Sequence, residues 1–576
     1  MNELAASKRP AQIAARRLEG GGQITLASAP EGYDSFLVAE LALAFAAAGE
    51  TRAVALAFIA RDGQRAQSFI DALAFAAPEV EALYLPAWDC QPYDRVSPNA
   101  AIAALRMTAF ARLARTRGAI ERPRALVTTI NALTQRAPPI ALVGAASFSA
   151  APGNSVDTAA LTLWLETNGY SRASTVRDVG DYAMRGGILD LYAPGAPAPV
   201  RLDFFGDTLE SIRAFDPETQ RSTGQLRALD LVAMSEAQLT SQAIRRFRQA
   251  YVAEFGGQTH GDQLYEAVSE GRRHAGFEHW LPLFFERMDT LFDYLGPAPI
   301  ILDARAEEAA DARFKQIADY YEARRAAYDD DPIKANYRPL KPDRLYLSPD
   351  EWRARLEAAP LARLTPFAMP PGESIVDCGA RAGRNFAAER VQENVNVFDA
   401  AVAHIGALRD GGKRVVVAGW TDGSRERLSH VLAEHGLKNR ELVSSLAQAK
   451  AAPAGAKGTA MGLYSSLQFI GIFVGGVIGG FAHQTWGDAG VFAMTAVIAL
   501  AWLLAAATMA QPSYLTTRLV PITGGQAGNA ESLAAKLRQV PGVAEAVVIA
   551  EEKLAYLKVD SRSFDAAMAE ALAGAP

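Results

Sequence analysis

Residues 23–41 read QITLASAPEGYDSFLVAEL, and the parsing of this stretch decides the fold. QITLA is a short apolar run with strand character, SAPEGYD is rich in turn formers, and SFLVAEL opens an apolar helix. Strand, loop and helix in that order form the frame of a phosphate-binding loop. A working loop needs G-x-x-x-x-G-K-[ST]: its glycines let backbone amides wrap the phosphates, its lysine neutralises them, and its hydroxyl holds magnesium. In register here stand Ala27, Gly32, Tyr33 and Asp34. Tyrosine replaces the lysine, and an aspartate replaces the hydroxyl where a phosphate would be repelled. At a helix N-terminus the same aspartate is a good cap, and structural capping is the preferred reading.

A second relic lies downstream. PIILDA (299–304) has the strand and aspartate of a Walker B motif, but Ala304 stands where a catalytic glutamate belongs. Both losses point away from ATP chemistry, so no enzymatic activity, cofactor or metal is expected. Around the loop, SFLVAELALAFAAAG, AVALAFIA, QSFIDALAFAA and ALYLPAW alternate short strands with Ala-rich helices, the βαβ rhythm of a mostly parallel sheet. ALVGAASFSAAPGNSV marks a boundary, after which GGILDLYAP, PVRLDFFGD and TLESIRAFD alternate with period two between Gly, Pro and Asp. That pattern predicts an inserted antiparallel α+β module. In RLDFF (201–205) the alternation directs one aromatic to the core. Helical periodicity returns at 238–253 and 302–328, and KRVVVAGW (413–420) reads as the strand of a further βα unit.

Composition sets outer limits. A chain of 576 residues is too long for one core. Fifty-eight basic against 64 acidic residues give a net charge of -6, which argues against a dedicated nucleic-acid binder. Cys90 and Cys378 have no metal-ligand spacing and suit a reducing compartment. The opening MNELAASKRPAQIAARR reads as a solvated, basic helix rather than a signal sequence. Residues 458–487 and 489–517 contain no Asp, Glu, Lys or Arg. Each window is long enough to cross a bilayer, which takes about 20 residues.

Long motifs carry a resemblance. ALYLPAWDCQPYDRVSPNAAIAALRMTAFARL (82–113), RPRALVTTINALTQR (122–136), the stretch from Gly180 to Ser222, and VDCGARAGRNFAAERVQEN (376–394) resemble the bacterial transcription-repair coupling factors (Mfd). The resemblance runs to about residue 452. It implies a front half similar in fold to the excision-repair helicase UvrB that has lost ATP chemistry, acting as a non-catalytic DNA-repair adaptor. It also implies that the insert contacts UvrA through Arg185, Arg201 and Phe205, with at most weak contact to DNA. Bidentate arginine pairs with partner carboxylates and a desolvated Phe205 anchor are the implied chemistry. The bland alternative makes Arg201 an idle surface charge. The polymerase-binding domain and translocase motor that follow in this family are not expected here.

The tail resembles another family. KGTAMG through AAATMA (457–510) resembles the last two transmembrane helices of major facilitator transporters. Gly471, Gly475, Gly476, Gly479 and Gly480 supply a small-residue packing face, and Lys457 and Arg518 flank the pair on one side. Residues 519–576 resemble the ferredoxin-like domain some of these transporters carry, without a metal-binding CxxC. The expected organisation is therefore a multidomain α/β chain with a degenerate P-loop sheet (1–148 and 236–375), an inserted UvrA-binding module (149–235) and a small α/β domain (376–452). A transmembrane hairpin (453–518) and a ferredoxin-like domain (519–576) complete it. The front is expected in the cytoplasm, with inner-membrane tethering through 458–517. The competing class is a transporter remnant fused to a soluble domain, and a joined reading frame is the simplest account of the junction.

Overall fold

The structure is a computed structural model. It describes residues 2–47, 53–115, 122–257, 259–330, 337–392, 394–419, 421–438 and 440–451. In the tail it describes 515–521, 533, 536–541, 543–549, 554–560 and 568. Two compact units separate, Met1–Ala454 and Gly455–Pro576.

The first unit is built on a seven-stranded parallel sheet. Its strands run in the order Ile375–Asp377, Gln23–Ala27, Leu361–Leu364, Ile300–Leu302, Leu56–Ala60, Arg124–Thr129 and Glu81–Leu85. The two central strands, Ile300–Leu302 and Leu56–Ala60, are apolar throughout, as burial on both faces requires. Leu56, Phe58, Ala60, Ala125, Val127 and Ile301 face one core, which helices Asn2–Glu19, Tyr33–Ala47 and Gly63–Ala76 cover. Ala57, Ile59, Leu126, Ile300 and Leu302 face the other, covered by helices that include Ala100–Ala114 and Ala306–Asp330.

Two local expectations are corrected here. The opening helix is not merely solvated: Ala11, Ala14, Ala15 and Leu18, spaced i, i+3, i+4, i+7, are buried against the sheet. The strand expected in KRVVVAGW does not form over its described residues. Residues 413–419 carry no regular structure between helices Val397–Asp410 and Asp422–Glu434, and Val416 and Val417 stay nearly half exposed. An extended run gains ladder hydrogen bonds only from a neighbouring strand, and none among the described residues pairs with it. The described strand nearest in sequence, Ile375–Asp377, joins the main sheet beside Gln23–Ala27.

The insert leaves the parallel domain at Ser147–Ala150 and returns at Leu229–Val232, and these two segments pair antiparallel. Between them lies a six-stranded sheet in the order Ser222–Leu226, Thr208–Phe215, Val200–Phe205, Ile188–Leu191, Asp181–Arg185, Ser171–Arg172, antiparallel except at the last pair. Tyr182, Leu189, Leu191, Leu202, Leu209 and Ile212 pack against Leu161 and Leu165 of helix Thr158–Thr167. The insert is clamped to the parallel domain. Arg106 donates from Nε to Glu236 Oε1 at 2.6 Å and from Nη2 to Oε2 at 3.2 Å, and Trp88 donates to Oε1 at 2.8 Å. Gly195 (φ +73°) lies so close to helix Ala100–Ala114 that a Cβ would meet Thr108 Cγ2 at 2.6 Å.

In the second unit, Leu515–Pro521, Leu554–Asp560 and Val543–Ile549 form an antiparallel sheet in that order. Leu533, Leu537 and Val540 are buried. Among the described residues no helix is long and apolar enough to cross a membrane, and the hairpin expected at 453–518 lies outside them apart from the first residues of this sheet.

Candidate functional site

At the top of the first strand of the chain, the loop from Ala27 to Asp34 is held by the protein's own acceptors. Ser28 N–H donates to Phe367 O at 2.9 Å, and Ala29 N–H to Thr365 O at 2.9 Å. Tyr33 and Asp34 N–H donate to Pro30 O at 3.1 and 3.3 Å. Gly32 and Ser35 N–H donate to Asp34 Oδ1 at 3.1 and 2.8 Å. Pro30 has no amide hydrogen to offer. The amides of Ser28, Ala29, Gly32, Tyr33, Asp34 and Ser35 are thus turned to internal partners. Tyr33, in the lysine position, is half-buried with its hydroxyl 3.5 Å from Cys378 O, and burial pushes its phenol up to about 12.

Below the loop is a cluster that sequence reading missed. Asp34, Arg65 and Asp303 are all buried. The Arg65 guanidinium bonds Asp34 Oδ2 through Nη2 and reaches Asp303 Oδ1 from Nε at 3.4 Å. Arg61 donates from Nη1 to Asp303 Oδ2 at 3.0 Å and to Glu31 Oε1 at 2.6 Å. Phe58 and Phe69 stack with centroids 3.7 Å apart, and the Arg65 guanidinium carbon lies 5.4 and 5.7 Å from those rings. Burial pushes the Asp34 carboxyl above its ordinary value, with Arg65 pulling against it. The legible signal was RDGQR (61–65), two arginines one helical turn apart directly after a strand that adjoins the Asp303 strand.

The second site is the outer face of the insert's sheet. Along Val200–Phe205 the side chains of Val200, Leu202 and Phe204 pack against the core, while Arg201, Asp203 and Phe205 lie on the opposite face. Phe205 is 77% exposed at the strand end, before the turn at Gly206 (φ +60°). Arg185 is exposed at the end of Asp181–Arg185, before a turn at Gly186 (φ +61°), and bonds Ser174 O through Nη2. Phe204 N–H donates to Gly187 O at 2.8 Å, so the two hairpin ends adjoin. An open hollow of about 480 Å³ lies beside Arg185, lined by Arg172, Ala173, Ser174, Ala183 and Met184.

Arg201 is placed differently from Arg185. Its Nε and Nη2 donate to Asp190 Oδ1 and Oδ2 at 2.7 and 2.9 Å, and its guanidinium lies 5.1 Å from the Phe215 ring. Asp190 is buried, so the bidentate fork that a partner carboxylate would need is already engaged inside the sheet. Arg185 stands in register with Ile188 and Asp203 on the insert's sheet, and Phe205 ends the Asp203 strand two residues beyond Asp203. Arg201 sits further down the strand.

Comparison with known proteins fits both halves of the chain. Residues 148–236 match the UvrB interaction domain, and residues 523–571 match the YajR YAM domain. The chain is 34% identical to the transcription-repair-coupling factor of Haemophilus influenzae over 278 residues, 48% of this chain and 23% of that protein. It is 30% identical to the Escherichia coli factor over 405 residues, 69% of this chain and 33% of that protein. Over 113 residues it is 41% identical to the inner membrane transport protein YajR of Escherichia coli, 20% of this chain and 25% of that protein. The aligned region spans between a fifth and a third of the coupling factors' own length.

Proposed function

We propose that residues 1–452 act as a non-catalytic DNA-repair adaptor that recruits UvrA through the outer face of the insert. The observation that carries this reading is the Phe205 end of that face. A phenylalanine three-quarters exposed and an exposed arginine on the same sheet, inside the stretch that matches the UvrB interaction domain, have the composition of an interface anchor. Phe205 and Arg185 make direct contacts, and Arg201 holds Asp190 and the strands beneath them. The closed loop supports the absence of ATP chemistry: neither Tyr33 nor Asp34 offers what a phosphate or its magnesium requires. The test is capture of purified UvrA by the immobilised full chain in nucleotide-free buffer, followed by titration with UvrB. Capture that UvrB displaces supports the adaptor. Failure to capture, or capture that excess UvrB leaves intact, removes it.

The YajR-like C-terminus carries a second reading, in which 458–517 tether the chain to the inner membrane and the join near residue 452 is a chimeric reading frame. Recovery of intact chain only in the membrane pellet supports tethering. Sequencing across codons 445 to 465 in source DNA tests the join, and a continuous frame in independent clones removes the artefact.

A further inference from the structure

We propose that the Arg65 guanidinium occupies the place of the divalent cation that a loop of this architecture would hold, so that the nucleotide site is filled by a cation belonging to the chain itself. The inference rests on the non-catalytic reading above and supplies its physical cause. In phosphate-binding loops the magnesium ion lies between the loop hydroxyl and the Walker B aspartate. Those two positions are Asp34 and Asp303 here, both buried, and Arg65 bonds both. A magnesium ligated by a neutral hydroxyl has become a guanidinium paired with a carboxylate. The change of Ser/Thr to Asp is therefore complementary to Arg65, because two buried carboxylates side by side without a cation would be strongly unfavourable. Arg61 adds a second positive charge on Asp303 and carries the pairing out to the more exposed Glu31.

The guanidinium is also fixed from the side by Phe58 and Phe69, whose aromatic walls leave it little freedom to swing out and admit an ion. The residues present do not fit a nucleotide with its metal. They fit an internal ion pair that closes the loop from below, while the amide bonds of Ser28, Ala29 and Gly32 close it from above.

Removing the guanidinium should recreate the vacancy. Arg65→Ala in the full chain leaves Asp34 and Asp303 facing a cavity, a hard oxygen donor set of the kind that takes a divalent cation. Thermal unfolding and Mn²⁺ titration followed by electron paramagnetic resonance are the readouts. The wild type is expected to show no Mn²⁺-dependent rise in Tm. Arg65→Ala is expected to unfold at lower temperature, to regain Tm with Mn²⁺, and to bind Mn²⁺ about tenfold or more tightly than the wild type. Adding Asp303→Asn should abolish that recovery. If Arg65→Ala accumulates only with metal present, the yield refolded with and without Mn²⁺ becomes the readout, and equal yields overturn the proposal. It is overturned equally by an Arg65→Ala protein that ignores Mn²⁺, or by a wild type that Mn²⁺ stabilises. UvrA capture, measured separately, reports on the insert, so failure of the plug and failure of the adaptor are told apart.

Discussion

The closed loop and the outer face of the insert use the same three ingredients, arginine, carboxylate and phenylalanine, to opposite ends. Around Arg65 the groups turn inward: buried Asp34 and Asp303 neutralise it, and Phe58 and Phe69 wall it. Around Phe205 the groups turn outward: Arg185 stays exposed with its guanidinium on Ser174 O, while Arg201, lower on the strand, is paired with buried Asp190. Residue type does not separate a structural ion pair from a recognition surface. Burial and the partner of each charge do.

The largest effect that would sharpen this contrast concerns another inward pair. Glu236→Ala leaves Arg106 buried without its carboxylate and the Trp88 indole N–H without its acceptor. Breaking a buried pair on one side costs about 3–5 kcal/mol. Chemical denaturation should show that loss, with the transition of the parallel domain and insert shifted together, because Glu236 anchors the chain where it re-enters the parallel domain from the insert. A change below about 1 kcal/mol would show that the clamp is ornamental.

On the outward side, Phe205→Ala should weaken UvrA binding by about 2–4 kcal/mol in calorimetry while moving stability by less than about 0.5 kcal/mol. A variant that binds normally would transfer the interface elsewhere. One that unfolds would place Phe205 with the inward set.

The parallel sheet was legible because its pattern is local. Each strand is a short apolar run, each helix is Ala-rich, and the lost loop residues sit at fixed offsets from Gly32. The alternation in RLDFF likewise sent one aromatic to the core, and the structure shows it is Phe204. Pairings between distant residues could not be read. Asp34 meets Asp303 through Arg65 only once the strands Leu56–Ala60 and Ile300–Leu302 lie side by side. Arg201 looked like a free surface fork because Asp190, its partner, is on a neighbouring strand whose register the sequence does not state. KRVVVAGW failed for the converse reason: its composition suits a strand, but a strand needs a neighbour.

A pH effect of intermediate size tests the inward set by titration. His279 is buried with neither ring nitrogen hydrogen-bonded, and burial pushes its imidazole down to about 4 from 6.5. A base depressed in the fold contributes stability that is complete above its unfolded value and is lost as pH falls toward its folded one. Tm should therefore drop between about pH 6.5 and 4, and His279→Phe, which keeps a ring against Trp88, should flatten that part of the curve. An unchanged slope would show that carboxylates alone cause the acid loss.

Smaller effects separate the two arginines of the insert. Arg185→Ala should weaken UvrA binding by about 1–2 kcal/mol with Tm unchanged. Arg201→Ala should lower Tm as well, since it strips buried Asp190 of a charged partner at about 1–3 kcal/mol. Equal Tm values for both variants would erase the distinction drawn between them.

The smallest expected effect is none at all, and it bears on the inward site directly. A ligand that binds only the folded state at a hundred times its Kd stabilises by about 2.7 kcal/mol, a shift easily seen in a melting curve. Millimolar MgATP would therefore reveal any site with a Kd in the micromolar range. The loop presents Tyr33 and Asp34 in place of a lysine and a hydroxyl, its amides are bonded internally, and Arg65 fills the ground between Asp34 and Asp303. Neither the Tm of the full chain nor its UvrA capture should change with MgATP. A nucleotide-dependent rise in Tm with capture unchanged would mean that the loop opens and the plug is wrong, while the outward face keeps its role. A rise in both would mean that the two regions communicate, and the contrast between a closed site and an open one would no longer describe the molecule.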